Sequence, residues 1–214
     1  LPTIFLLQTK TNIKMKKNYI FKTILLIIPI AALTLMSNAG GKSGGSSGSP
    51  GDNGSTCANC HSGGNFGASV AITHNVPITG YELNTVYDVT VTGTSTAPKH
   101  GFQLTAERNT NNAKIGTLIA GTGSKLVNSN GNITHSNPNN NSWTFQWRSP
   151  ATDQGRVTFY AALNAANGDG NAFGNGDQTV TGNSGSIGSL SISEAQRLRD
   201  EQAAEEARLA DEQR

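Results

Sequence analysis

An all-β fold, two packed antiparallel sheets spanning residues 67 to about 182, is predicted for this 214-residue chain from three observations. Apolar residues alternate with polar ones at a period of two in several separate segments, the pattern of strands that bury one face. Clusters of Gly, Asn and Pro separate those segments at short intervals, as turns do. No stretch of helical periodicity occurs before residue 193. Short strands so spaced make a β-sandwich.

Taken in order, Leu1 to Lys14 precede the first methionine and read as an upstream, non-native segment (1–14). From Met15 the chain carries Lys16, Lys17 and Lys22, then the apolar run Ile24 to Met36, then Ser37, Asn38 and Ala39. That is a secretory signal peptide (15–39), too short to span a bilayer comfortably and followed by no stop-transfer charges. A buried core helix fits poorly, because Pro29 interrupts the run and a Gly/Ser tract follows at once. Cleavage after Ala39 leaves Gly40 as the N-terminus, with no cysteine there for a lipid anchor. The membrane is then met only through the removed signal.

The whole chain has 16 basic and 14 acidic residues, but five lysines and no acids fall in residues 1–39, so the remainder carries 11 and 14, a net charge of −3. With no basic patch interleaved with aromatics, nucleic acid is excluded as a partner. What remains is long enough for one domain with a core. Its two cysteines supply no disulfide framework in an oxidising compartment.

Residues 40–55, GGKSGGSSGSPGDNGS, have the composition of a flexible linker. Residues 56–182 hold the sandwich and the short segment that leads into it. Its alternating sets are Val70 and Ile72; Tyr87, Val89 and Val91; Phe102, Leu104 and Ala106; Trp143, Phe145 and Trp147; and Val157, Phe159, Ala161 and Leu163. Residues 183–192 read as a second linker. In 193–214, Ser193-Glu194-Ala195-Gln196 fits a capping box before a charged helix. Leu198 and Leu209 are its only large apolar residues, so it is expected to bury little and to form no coiled-coil seam.

Both cysteines lie in Cys57-Ala58-Asn59-Cys60-His61. C-x-x-C-H is the attachment signature of c-type haem: two thiols add across neighbouring porphyrin vinyls, and the adjacent imidazole reaches the iron. Export meets the chemistry's need for a site outside the cytoplasm. Three alternatives stay open. A redox C-x-x-C normally opens a helix in a βαβ setting, whereas this one sits in a Gly-rich loop. A zinc site lacks a second paired half-motif. A local disulfide leaves His61 unexplained.

Methionine is excluded as the opposite iron ligand, since Met15 and Met36, the only two, fall in the removed segment. Without it a low-potential centre is expected. His74, His100 and His135 are the distal candidates. His74 shares the Val70 and Ile72 face, and His100 alternates with Phe102 and Leu104 as a packed edge histidine would. His135 ends a short segment before an Asn-rich loop, where a side chain can reach outward. Asn167, Asp169, Asn171 and Asp177 offer oxygen ligands, but Ala172 stands where an EF-hand loop needs Gly and no Glu closes it. An ordinary Asx/Gly turn is the better description. No serine–histidine–acid triad or carboxylate pair is detectable from spacing, which points away from an enzyme.

The stretches "GSPGDNGSTCANCHSGG", "HGFQLTAER", "ITHSNP" and "WTFQWRSPATDQGRVTFYAALNAANGDG" resemble the Reeler-like choice-of-anchor V domain of exported bacterial proteins, frequent in Bacteroidetes, over about residues 49–178. The resemblance implies an immunoglobulin-like sandwich with C-x-x-C-H at its N-terminal edge, in the periplasm, on the cell surface or secreted. It matches Cys57, Cys60 and His61 to the haem motif. It also puts His135 in a His-Ser/Thr segment, ahead of His100. The tail 193–214 departs from the sorting signal or anchor that commonly follows such domains.

The function expected first is an exported monohaem c-type cytochrome module for extracytoplasmic electron transfer. One covalent haem c per chain would rest on Cys57 and Cys60, with His61 proximal and His135 distal, and an exposed haem edge. Its partner would be a redox protein or another copy of itself. The alternative is a cell-surface or secreted interaction module that binds a partner or glycan, its cysteine segment structural. A haem sensor or peroxidase with an open iron position is a third expectation.

Overall fold

The alternating segments form the long strands of two facing sheets. The computed structural model describes residues 40–171, 175–190 and 192–213; the upstream segment 1–14 and the signal peptide 15–39 lie outside the described residues. One sheet has six strands in the order β1 (Ser62–Gly63), β10 (Asn175–Asn183), β9 (Val157–Ala166), β4 (Lys99–Arg108), β7 (Asn132–His135), β6 (Ser124–Val127). The other has four, in the order β2 (Ser69–His74), β3 (Val86–Thr94), β8 (Ser142–Arg148), β5 (Thr117–Ile119). Pairing between neighbours is antiparallel, except that β1 runs parallel to β10.

Inward residues of the predicted alternation meet between the sheets. Trp147 is fully buried at the centre, edge-on to Tyr81 and Phe159 at centroid distances of 5.4 and 5.3 Å, and donates Nε1–H to the Ile115 carbonyl at 3.0 Å. Phe102 packs on Trp143 at 4.5 Å and on Phe145 at 5.9 Å. Such edge-on and offset pairs are the favoured aromatic geometries. The outward face of the four-stranded sheet carries polar pairs instead: Thr90 with Thr144, Thr92 with Ser142, and Gln146 with Asp88.

Residues 40–55 are not the flexible linker that composition predicts. They lie across the outer face of the six-stranded sheet, with Ser46, Ser47 and Ser49 at 1% exposure or less. The reason is on β4 and β7, whose outward residues Gln103, Thr105, Glu107, Asn132 and Thr134 are polar and need partners once covered. The Gln103 side chain accepts from the Ser46 amide and donates to the Lys42 and Gly44 carbonyls. Glu107 accepts from Ser49 Oγ at 2.5 Å and from the Gly51 amide at 2.9 Å. Asp52 accepts from Ser47 Oγ at 2.5 Å and Asn132 Nδ2 at 2.7 Å, and pairs with Lys114 Nζ at 2.6 Å. A 3-10 turn, Pro50–Asp52, delivers Asp52: Ser49 caps it and Pro50 stands at its first position, where no amide donor is lost.

The second expected linker is also packed as far as residue 190. Ile187 and Leu190 are buried, Val157 and Ile187 exchange both backbone hydrogen bonds, and the Leu190 amide donates to the Tyr81 carbonyl. Helix α1 (Ile192–Glu212) follows as predicted, and its side chains are largely exposed. Ala195 is buried, Leu209 is 44% exposed, and Arg199 pairs with Glu82 at 2.6 Å. The capping-box side chain of Ser193 falls outside the described residues. Among the described residues no helix is long and apolar enough to cross a membrane.

Candidate functional site around Cys57, Cys60 and His61

The cysteine motif is built on a turn rather than on an open loop. Thr56 caps the 3-10 turn Cys57–Asn59 by accepting from the Ala58 amide at 3.1 Å. The Cys57 carbonyl then accepts from the amides of both Cys60 (3.1 Å) and His61 (3.0 Å). The turn packs on β9 and β10, so the motif is seated on the sheet instead of hanging from it. Both cysteines are half-buried thiols. Burial, opposed by its own backbone and by Lys42, pushes the Cys57 thiol up to about 11. A thiol held protonated at neutral pH lacks the activation that redox C-x-x-C pairs depend on.

His61 is fixed from the far end of the chain. The register of β1 on β10 sets Gly63 opposite Asp177, and the Gly64 amide donates to the Asp177 carbonyl at 2.9 Å. His61 Nδ1 thereby lies 2.6 Å from Asp177 Oδ2, a carboxylate only 5% exposed. The other oxygen, Oδ1, accepts from the Asn167 amide at 2.8 Å. Asn164 lies beside it, its Nδ2 3.5 Å from Oδ2 and its Oδ1 accepting from Thr179.

The three candidate distal histidines fare differently. His100 is the packed edge histidine that its spacing suggests: it is 8% exposed, its Nε2 is 2.6 Å from Ser95 Oγ, and burial lowers its basicity. His74 shares its inward face with Val70 and Ile72, its ring 6.0 Å from that of Phe159. His135 does not reach outward. Its ring lies against Gly101, where any Cβ would meet it, and its Nδ1 is 3.1 Å from the Phe102 amide. The Phe102 carbonyl, which accepts from Thr134 Oγ1 at 2.5 Å, is 3.3 Å from the same nitrogen. Burial is the main cause of its lowered basicity, with the Phe102 backbone opposing and the charges of Lys125 and His61 adding.

For the oxygen cluster, Asn167, Asp169 and Asn171 form successive Asx turns: the Asp169 amide donates to Asn167 Oδ1 at 3.1 Å and the Asn171 amide to Asp169 Oδ1 at 2.8 Å. Asp177 is engaged by His61 instead. Among the described residues no three His, Cys, Asp or Glu side chains converge as a protein-only metal site. Haem asks for a different donor set, two thiols and one imidazole, and Cys57, Cys60 and His61 fit it. The Nδ1 contact to Asp177 is of the kind that metal-bound histidines make. Asp177, Lys42 and Gly101 were not singled out for this site by spacing. The β1–β10 register brings Asp177, the 40–55 segment brings Lys42, and β4 brings Gly101 against the His135 ring.

A family model described as the Reeler domain matches residues 51–167. Among solved structures, the human F-spondin reeler domain (fragment 1) is 19% identical, with 56% of this chain and 92% of that chain covered and a TM-score of 0.40. The Reelin-N domain of F-spondin is 17% identical over 61% and 91%, with a TM-score of 0.42. No curated protein matches. The family match spans more than half of the sequence, and the chain belongs to the Reeler domain family.

Proposed function

We propose that this Reeler-family chain is an exported interaction module, secreted or held at the cell surface, that binds a protein or glycan partner through its sandwich. The observation that carries this is the Reeler match over 51–167, joined to a two-sheet fold of the same class. The outward face of the four-stranded sheet supports it: Asp88, Thr90, Thr144 and Gln146 present hydroxyl, amide and carboxylate groups to solvent. Such groups suit hydrogen bonding to sugars or peptide edges. A glycan array and a panel of purified extracellular proteins, probed with the wild type, with Thr90→Lys/Thr144→Lys and with Cys57→Ser/Cys60→Ser, test it. Binding lost in the lysine variant and kept in the serine variant is expected. Binding that depends on the cysteines and ignores the sheet face overturns it.

A second reading is favoured by one specific observation, the His61–Asp177 contact within C-x-x-C-H. Here Cys57 and Cys60 would hold a c-type haem through thioether bonds, and His61 would face its iron through Nε2. When bound, the group would supply one-electron exchange with a partner protein or a second copy. His135 would remain the candidate for the far side of that iron. Expression with cytochrome c maturation machinery, followed by mass spectrometry and a pyridine haemochrome spectrum, is expected to give one haem per chain. A bare polypeptide mass would refute it.

A further inference from the structure

We propose that Asp177 is the positioning residue for His61, holding its imidazole in the Nδ1–H tautomer so that Nε2 is the coordinating atom, and making that atom a stronger electron donor. The proposal rests on the haem reading above. Nothing in the motif's spacing suggests it, because the two residues lie 116 positions apart.

The geometry is specific. Asp177 is buried, and its two oxygens are divided between two tasks. Oδ1 takes the Asn167 amide at 2.8 Å, which fixes the carboxylate's orientation, while Oδ2 faces His61 Nδ1 at 2.6 Å. Its own backbone carbonyl holds the Gly64 amide at 2.9 Å, three residues beyond His61. The carboxylate and the imidazole are therefore tied together by side chain and main chain at once. An ionised carboxylate is an acceptor only, so the shared proton belongs to Nδ1 and the lone pair to Nε2. A carboxylate on the far nitrogen raises the ligand basicity of an imidazole, which favours the more oxidised metal. A merely structural role, pinning the loop at Asn167 to β10, predicts neither the tautomer nor any effect on a bound iron.

Two measurements test this. In the chain labelled with 15N-histidine and expressed without haem maturation, long-range 1H–15N correlation spectra are expected to show His61 as the Nδ1–H tautomer. An Nε2–H tautomer, or a mixture of the two, overturns the assignment, and this arm needs neither haem nor a variant. In the haem-loaded full chain, Asp177→Asn is expected to shift the midpoint potential upward with the optical spectrum otherwise that of the wild type. An unchanged potential overturns the electronic part of the proposal. If no haem attaches, the haem reading fails by itself, and the tautomer alone decides whether Asp177 orients His61. If the variant fails to fold, the wild-type tautomer still decides the same point.

Discussion

Strand β4 turns Phe102, Leu104 and Ala106 toward the facing sheet, and Gln103, Thr105 and Glu107 toward the 40–55 segment; all six are buried. The inward side is held by close-packed apolar surface, where contacts are individually weak and collectively large. The outward side is held by directional hydrogen bonds, each of which leaves an unsatisfied group if its partner goes. The inner face therefore sets whether the domain folds at all. The outer face sets whether residues 40–61, and the cysteine motif at their end, stay seated.

Substitutions can break that contrast. The largest effect is expected from Trp147→Ala, which empties the space between Tyr81, Tyr87 and Phe159. A loss of about 3–5 kcal/mol in urea denaturation is expected, with the whole domain unfolding in one transition. Next comes Glu107→Ala, which strands Ser49 Oγ and the Gly51 amide and removes a carboxylate 3.5 Å from Lys114. About 1–3 kcal/mol is expected to be lost. Here hydrogen exchange should report a local effect, with the Gly48, Asn53 and Gly54 amides of the covering segment speeding up more than those of β9. Equal acceleration everywhere would abolish the distinction between the faces.

The pH dependence sharpens the same contrast. Burial pushes the Asp52 carboxyl up, but hydrogen bonds from Lys114, Ser47 and Asn132 outweigh it, so the folded-state value is lowered. A depressed carboxylate contributes stability that is full above its unfolded value, about 4, and is lost as pH falls through the folded one. Release of the 40–55 segment is thus expected on acidification below about pH 4, measured as exchange of the Gly48 amide, which donates to Ser55. In Asp52→Asn that acid-dependent step should shrink. The smallest effect is expected at α1: Arg199→Ala, losing a half-exposed pair with Glu82, should change stability by less than about 0.5 kcal/mol.

The long strands were legible because inward and outward residues alternate over enough positions to leave no doubt about period. Strands β5, β6 and β10 were not picked out: Thr117–Ile119 is too short to show a pattern, and Asn175–Asn183 carries Val180 as its single large apolar residue. The Cys57, Cys60 and His61 cluster was visible as a motif, and its local turn follows from Thr56 and the neighbouring backbone. Its carboxylate partner was not, since Asp177 reads as one more acidic residue in an Asx-rich loop. The contacts of the His135 ring, at the last position of β7, with Gly101 and the Phe102 amide were not legible either.

By itself, the sequence determined the fold class, the strands of the core, the charged helix read at 193–214 and the chemistry available at residues 57–61. Each of these depends on periodicity or on near neighbours in the chain. Tertiary structure alone decided that a Gly/Ser-rich stretch is a fixed covering layer, that Asp177 meets His61, and that the His135 ring lies against Gly101. Those outcomes depend on hydrogen-bond partners brought together from distant segments. A polar residue's own neighbours in sequence do not reveal whether such a partner will come.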